Sequence, residues 1–367
     1  MDSELTPQPG PESRPFGEPI SSPPSPDPSL APAYHDRGTG LVIFGVVQII
    51  LGCFAALLIP MIALGAFMSR LAPGASMRPG ALISGMGTYA LLAAALITLG
   101  IGSIQMKRWA RALTLVISWY WLVMGVLITI LMTALLPVAT KNALAQAQQN
   151  AQAGPSPALS TGVMAVILTV VIIIGAFFLV IVPIALVIFY GRKDVEETVR
   201  HRDAKERWTD RTPLPVLGAS VALFTGSVYM LMVGLTTPLF PFFGHYLTGI
   251  AGTLCFMLWA AVDFYLSVAL FRRQSSGWWI AALIVPLRLF SMILTYGRAD
   301  LMQAYAKVGM SSEELRMLNA NPMFRSHVIL WWSLLSLVLF YGYLLWLKRY
   351  FKAPAPAALD SQVAQLS

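Results

Sequence analysis

The chain has 367 residues, 57% of them hydrophobic and only 11% charged, with a formal net charge of +8. A water-soluble domain carries about 25% charged residues, so most of this chain does not face water, and the mean hydropathy of +0.68 agrees. This excludes an ordinary soluble enzyme. The basic excess does not point to nucleic acid either, because membrane proteins collect Lys and Arg in their cytoplasmic loops.

Apolar runs of 18 or more residues read as membrane-spanning helices, since roughly 20 residues at 1.5 Å rise cross a hydrocarbon core of about 30 Å. The fold expected is therefore all-α: a polytopic transmembrane helix bundle of about eight spans, embedded in a lipid bilayer. The two cysteines, Cys53 and Cys255, lie inside apolar runs. They lack zinc-ligand spacing and read as small packing residues.

Residues 1–39 form the first segment. Met1 to Pro32 holds 10 of the chain's 25 prolines. It has too little apolar surface to offset its ordering entropy, so a disordered tail is expected. Acidic residues precede the first apolar run, which argues against a signal peptide. The first span runs from about Gly40 to Phe67 and contains Ile50-Leu51-Gly52-Cys53, which is similar to a lipoprotein processing box. The run continues well past Cys53, which favours a plain span. The second span is about Ala81 to Met106 and closes on the basic turn Lys107-Arg108-Trp109-Ala110-Arg111. The third, about Ala112 to Pro137, precedes a polar stretch to Ser160. Ala143 to Ala153 could form a short separate helix there, stopped by Gly154-Pro155. The fourth span, about Thr161 to Tyr190, contains Pro183, where a kink is expected.

A charged linker, 191–215, separates this first half, 40–190, from the second, 216–347. It carries seven of the 25 Lys and Arg residues and six of the 17 Asp and Glu. Acid-before-base pairs four apart, Glu196 with Arg200 and Asp203 with Arg207, support a short exposed helix. Thr212-Pro213-Leu214-Pro215 ends it. The fifth span is about Val216 to Leu235. Thr236 to Tyr246 is uncharged, and its Phe240-Pro241-Phe242-Phe243 suggests an interfacial or slightly re-entrant turn. The sixth span, about Leu247 to Phe271, ends at Arg272-Arg273, and the seventh is about Trp278 to Tyr296. In the polar loop that follows, Ser311 and Glu314 make a capping box for a short helix. The eighth span, about Val328 to Leu347, leads into a tail, 348–367.

Lys and Arg fall 17 on the side of the termini and linker and seven on the other. The positive-inside rule therefore places both termini in the cytoplasm and the protein in a cell (inner) membrane. Both halves show the same succession: a span, a span ending in a basic turn with Trp, a span, a longer outer loop, and a span ending in basic residues. A parallel four-plus-four internal repeat fits this. The Trp208-Thr209-Asp210-x-x-Pro213-Leu214-Pro215-Val216-Leu217 run, following Lys193-Asp194-Val195, resembles an uncharacterised group of bacterial multi-pass membrane proteins. The resemblance covers the linker and the Arg-Trp-Ala-Arg turn, and that group brings no assigned activity.

Two ionisable residues lie well inside spans, Asp263 and Arg288. A charge at bilayer mid-depth costs at least about 2.5 to 3.5 kcal/mol on insertion scales, so it is paired or functional. Their depths, about 13 and 15 Å from the same surface, make an ion pair reasonable. Such a pair either fixes helix register or forms the centre of a ligand site: an ion or anion site, or a proton relay. His201-Arg202-Asp203 is similar to the kinase catalytic tripeptide, but Trp208 stands where a kinase needs Asn, and no phosphate loop is present. His35, His201, His245 and His327 are scattered. The sequence offers no constellation for catalysis, a cofactor or a metal. The reading it supports is non-enzymatic: transport or binding of a small solute within the bundle or, alternatively, a scaffold using the Pro-rich tail and charged linker as docking surfaces.

Overall fold

The computed structural model describes residues 35–71, 79–152, 161–320 and 326–351. The expected disorder of Met1 to Pro32 and the helix stop at Gly154-Pro155 lie outside them. Among the described residues eight helices are long and apolar enough to cross a membrane, and the protein is a multi-pass membrane protein. In chain order they are α1 (Gly38–Leu71), α2 (Pro79–Ile104), α3 (Arg108–Gln152), the α4–α5 pair, α7 (Leu214–Thr236), α8 (Gly249–Phe271), α9 (Ser275–Arg298) and α12 (Ser326–Leu347). Large apolar side chains such as Ile250, Leu283 and Trp331 are 82%, 72% and 70% exposed. In water such a surface would aggregate; lipid is the solvent that suits it.

Small residues at seven-residue spacing join the first two spans of each half. On α7 and α8 the partners are Ser220 with Ser267, Ser227 with Ala260 and Gly234 with Thr253. The Ser220 and Ser267 hydroxyls each donate to the other's carbonyl at 2.8 Å, Ser227 donates to the Ala260 carbonyl at 2.8 Å, and Thr253 to that of Gly234 at 3.1 Å. Each hydroxyl thus finds an acceptor where no water can serve. On α1 and α2 the partners are Gly45 with Gly100 and Gly52 with Ala93. A Cβ at Gly45 would lie 2.8 Å from the Gly100 carbonyl oxygen, and one at Gly100 only 2.6 Å from that of Gly45. Backbones meet this closely only where side chains are absent. In each half the first span packs on the second and the second on the third. Any succession of antiparallel spans produces that order, so it does not establish duplication.

Several boundaries differ from those the sequence suggests. Helix α3 runs unbroken through Pro137 to Gln152, so Ala143 to Gln152 is not a separate helix. The fourth span is interrupted before Pro183. Helix α4 (Thr161–Ala176) gives way to a π-helical turn, Phe177–Ile181, and resumes as α5 (Val182–Tyr190). Pro183 has no N–H for the carbonyl four residues back, that of Leu179. That carbonyl lies against Gly125 of α3, where a Cβ would collide with it.

The linker helix α6 (Lys193–Arg202) is docked rather than exposed. Val195, Thr198 and Val199 are each at most 1% exposed, and the two valines pack in a cluster with Leu41, Leu115, Leu186 and Tyr190. Their spacing of three and four residues puts them on one face. The expected pairs form, Glu196 with Arg200 at 2.7 Å and Asp203 with Arg207 at 3.4 Å, the latter beyond the helix end. The basic turn after α2 clamps the linker: Arg111 reaches Glu196 at 3.0 Å and Arg108 reaches Asp210 at 3.6 Å. The end of the N-terminal segment is held as well. Arg37 donates its backbone N–H to Thr198 Oγ1 at 3.1 Å, and Asp36 pairs with Arg202 at 3.1 Å. The boundary drawn at residue 39 therefore falls inside ordered structure. The tail drawn from residue 348 also begins inside the fold, since Phe351 packs with Val216, Leu266, Leu347 and Trp278.

The expected turn over Thr236 to Tyr246 is a β-hairpin, β1 (Leu239–Phe242) paired antiparallel with β2 (His245–Thr248), Phe242 opposite His245. Both turn residues have positive φ, 39° at Phe243 and 94° at Gly244, as a two-residue hairpin with the right-handed strand twist requires. Two short helices complete the same end of the bundle, α10 (Leu301–Lys307) and α11 (Ser312–Ala320). Asp300 caps the first. The second carries the expected capping box, the Ser311 N–H meeting the Glu314 carboxylate at 2.7 Å and the Glu314 N–H meeting Ser311 Oγ at 3.3 Å.

Candidate functional site

Asp263 lies on the buried stripe of α8, in line with Phe256, Ala260, Leu266 and Leu270. Arg288 continues the stripe of α9 that carries Ala281, Val285, Ser291 and Thr295. The helices are antiparallel neighbours. Asp263 stands about 13 Å, and Arg288 about 20 Å, along its helix from the turn that joins them. The difference closes because side chains lean toward the N-terminus of their own helix. Asp263 therefore leans toward the hairpin end and Arg288 back toward the linker end. They meet with Arg288 Nη1 donating to Asp263 Oδ2 at 2.8 Å.

The pair is unequal. The Asp263 side chain is 3% exposed and that of Arg288 28%. Trp259, one turn before Asp263, faces the guanidinium with its ring centroid 5.7 Å from Arg288 Cζ, within cation–π range. Across the seam α7 offers Gly226, whose Cβ, if it had one, would lie 3.8 Å from Asp263 Oδ2. Oδ1 of Asp263 is buried and has no hydrogen-bond partner among the described residues. A carboxylate oxygen taken out of water without a donor is costly. The arrangement places a carboxylate oxygen without a donor among the described residues beside a part-exposed guanidinium.

The hairpin covers the polar stripe that leads from Arg288 to the nearer end of α9. The Phe243 N–H donates to Ser291 Oγ at 2.8 Å and the Gly244 N–H to Thr295 Oγ1 at 3.0 Å. Ser291 is one turn above Arg288, and Thr295 one turn further. Phe243 sits in a backbone region that non-glycine residues avoid, at a cost of order 1 to 3 kcal/mol, and these bonds hold it there. Below the tip, the Tyr246 hydroxyl is buried with no hydrogen-bond partner among the described residues, its ring edge-on to Tyr296 with centroids 6.0 Å apart. Burial pushes the Tyr246 phenol well above its ordinary range, and neighbouring Tyr296 and Tyr305 push it the same way.

A second buried polar cluster lies in the first half, where a search for ionisable groups passes over it. Gln48, 1% exposed, donates from Nε2 to the Tyr190 hydroxyl at 3.3 Å, and Ser103 joins the same hydroxyl. This ties α1, α2 and α5 together. A lone Gln in an apolar span is the signal that would have found it. Among the remaining candidates, Cys53 is an exposed side chain on unbroken α1 and Cys255 a half-buried one on α8. His245 is exposed on β2. Among the described residues no three His, Cys, Asp or Glu side chains gather as metal ligands. Comparison with family models, with curated proteins and with solved structures finds no match.

Proposed function

We propose that the protein binds a small polar solute at Asp263 and Arg288, within the second half of the bundle, and that the 239–248 hairpin covers the site. The observation that carries this reading is the buried Oδ1 of Asp263, unpartnered among the described residues, beside a guanidinium that keeps part of its surface. A pair serving only to fix helix register would gain by satisfying both oxygens. The complementary solute carries a donor for Asp263 and an acceptor for Arg288, as a zwitterion or a primary amide does. Transport follows if the hairpin tip leaves Ser291 and Thr295, since the polar stripe then opens from the hairpin end to mid-membrane.

The basic count supports a cytoplasmic linker end and cytoplasmic termini in an inner membrane, with the hairpin on the opposite side. The scaffold reading loses ground to the docked state of α6, whose apolar face is spent inside the protein. A thermal-shift screen of the detergent-purified chain with amino acids, small amides, carboxylates and amines tests the proposal. A solute that stabilises the wild type but neither Asp263→Asn nor Arg288→Met supports it. A solute that stabilises all three equally removes the site.

A further inference from the structure

We infer that the linker end of the second half, where α8 and α9 meet the end of α12, holds the phosphodiester headgroup of an anionic phospholipid. Most arginines of the linker and basic turn find carboxylates: Arg108, Arg111, Arg200, Arg202, Arg207 and Arg211 each have an acidic partner within 4.0 Å, and Arg192 is the exception among the described residues. Arg272, Arg273, Lys348 and Arg349 have no such partner among the described residues, and all four are exposed. Like charges repel, so four cations without counter-ions need something to hold them together.

Aromatic rings hold two of them. Lys348 Nζ lies 5.0 Å from the ring centroids of both Trp278 and Trp279, and Arg349 Cζ lies 4.0 Å above Trp346. Tyr350 adds a third and steadies the second: its carbonyl accepts from Arg273 Nη2 at 3.0 Å and its hydroxyl from Arg349 Nη2 at 3.0 Å. Trp278 is itself fixed, its indole N–H donating to the Leu344 carbonyl at 2.8 Å. The rings set the cations in place without neutralising them, because a ring face carries no net charge.

The position favours a lipid over a free anion. Lys348 follows the last residue of a spanning helix, and Arg272 and Arg273 sit in the turn between two others. Trp279 and Trp346 stay 59% and 43% exposed beside them, amphipathic rings at the depth where headgroup gives way to acyl chain. A phosphodiester thus meets the cations while its acyl chains lie along the apolar flank of α12. Basic sites between helix ends are the usual receptors for such headgroups. This inference is independent of the Asp263–Arg288 proposal.

The test is native mass spectrometry of the full chain released from mixed nanodiscs of phosphatidylcholine and phosphatidylglycerol, with a parallel arm titrating inorganic phosphate in detergent. The wild type is expected to retain phosphatidylglycerol in preference to phosphatidylcholine. The triple variant Arg273→Gln, Lys348→Gln, Arg349→Gln should lose that preference by roughly 100-fold, three headgroup-level cations being removed. Two variants guard against misfolding: Lys348→Arg keeps the charge and should keep the lipid, and Arg211→Gln, on the exposed linker, should not alter it. The inference is overturned by equal retention of both lipids, by an unchanged preference in the triple variant, or by millimolar phosphate displacing phosphatidylglycerol completely.

Discussion

Cutting the Asp263–Arg288 pair from either side should cost unequal amounts, and the structure sets the order. Replacing Arg288 with Met leaves Asp263, 3% exposed and already short of one donor, as an uncompensated charge. Breaking a buried pair in this way costs about 3 to 5 kcal/mol. Replacing Asp263 with Asn leaves Arg288, which keeps 28% of its surface and the face of Trp259. A long guanidinium side chain can move its head toward water. The loss is then about 1.5 to 3 kcal/mol, the worth of a hydrogen bond to a charged group. Removing both charges should be nearly neutral, so the two losses should couple by at least about 2 kcal/mol. Equilibrium unfolding in mixed SDS–maltoside micelles, followed by circular dichroism, reads all four corners of the cycle. Losses that add within about 0.5 kcal/mol, or a larger loss for Asp263→Asn than for Arg288→Met, would refute the reasoning. If the double variant is stable, solute binding separates the roles: retained binding makes the pair structural, lost binding makes it a site.

Gly125→Ala pushes a Cβ into the Leu179 carbonyl and should destabilise by about 1 to 3 kcal/mol as an overpacking change. Gly342→Ala, with nothing within 4 Å of the new atom, should instead gain a few tenths to about 1 kcal/mol from helix propensity in the same unfolding assay. Val199→Asp places a charge in the seam under α6 and should release the linker, read as faster tryptic cleavage after Arg200, Arg202 and Lys205. The Asp203 carboxyl titrates below its ordinary value: burial pushes it up, but the Arg108 backbone N–H and Arg207 outweigh that. Its folded value being depressed, its stabilisation is complete above the unfolded value of about 4 and is lost as pH falls below it. Protease resistance of the linker should therefore fall in that acid range in the wild type and vary less with pH in Asp203→Asn. Reporter fusions after Ala153 and Arg316 should read outside and one after Asp203 inside; an outside signal at Asp203 would overturn the orientation.

The eight spans were legible in the sequence because burial in lipid needs no partner: a run of apolar residues is a span whatever lies beside it. Asp263 and Arg288 were legible for the same reason, since any charge inside such a run stands out, and a tight turn between two spans makes them neighbours. The Ser311–Glu314 capping box is likewise a local signal. The hairpin was hidden because Phe243-Gly244 lacks the Asn-Gly or Asp-Gly signature of its turn; Ser291 and Thr295, some 50 residues away, supply the bonds that hold it. The exposure of α6 was misjudged because its apolar face is only two valines and a threonine. What buries them is Leu41, Leu115 and Leu186, which three different helices bring to one place. Sequence by itself thus determined which segments leave water. Tertiary structure alone decided which surface each turns to its neighbours, because lipid and protein interior are equally apolar and only packing shape and hydrogen-bond partners tell them apart.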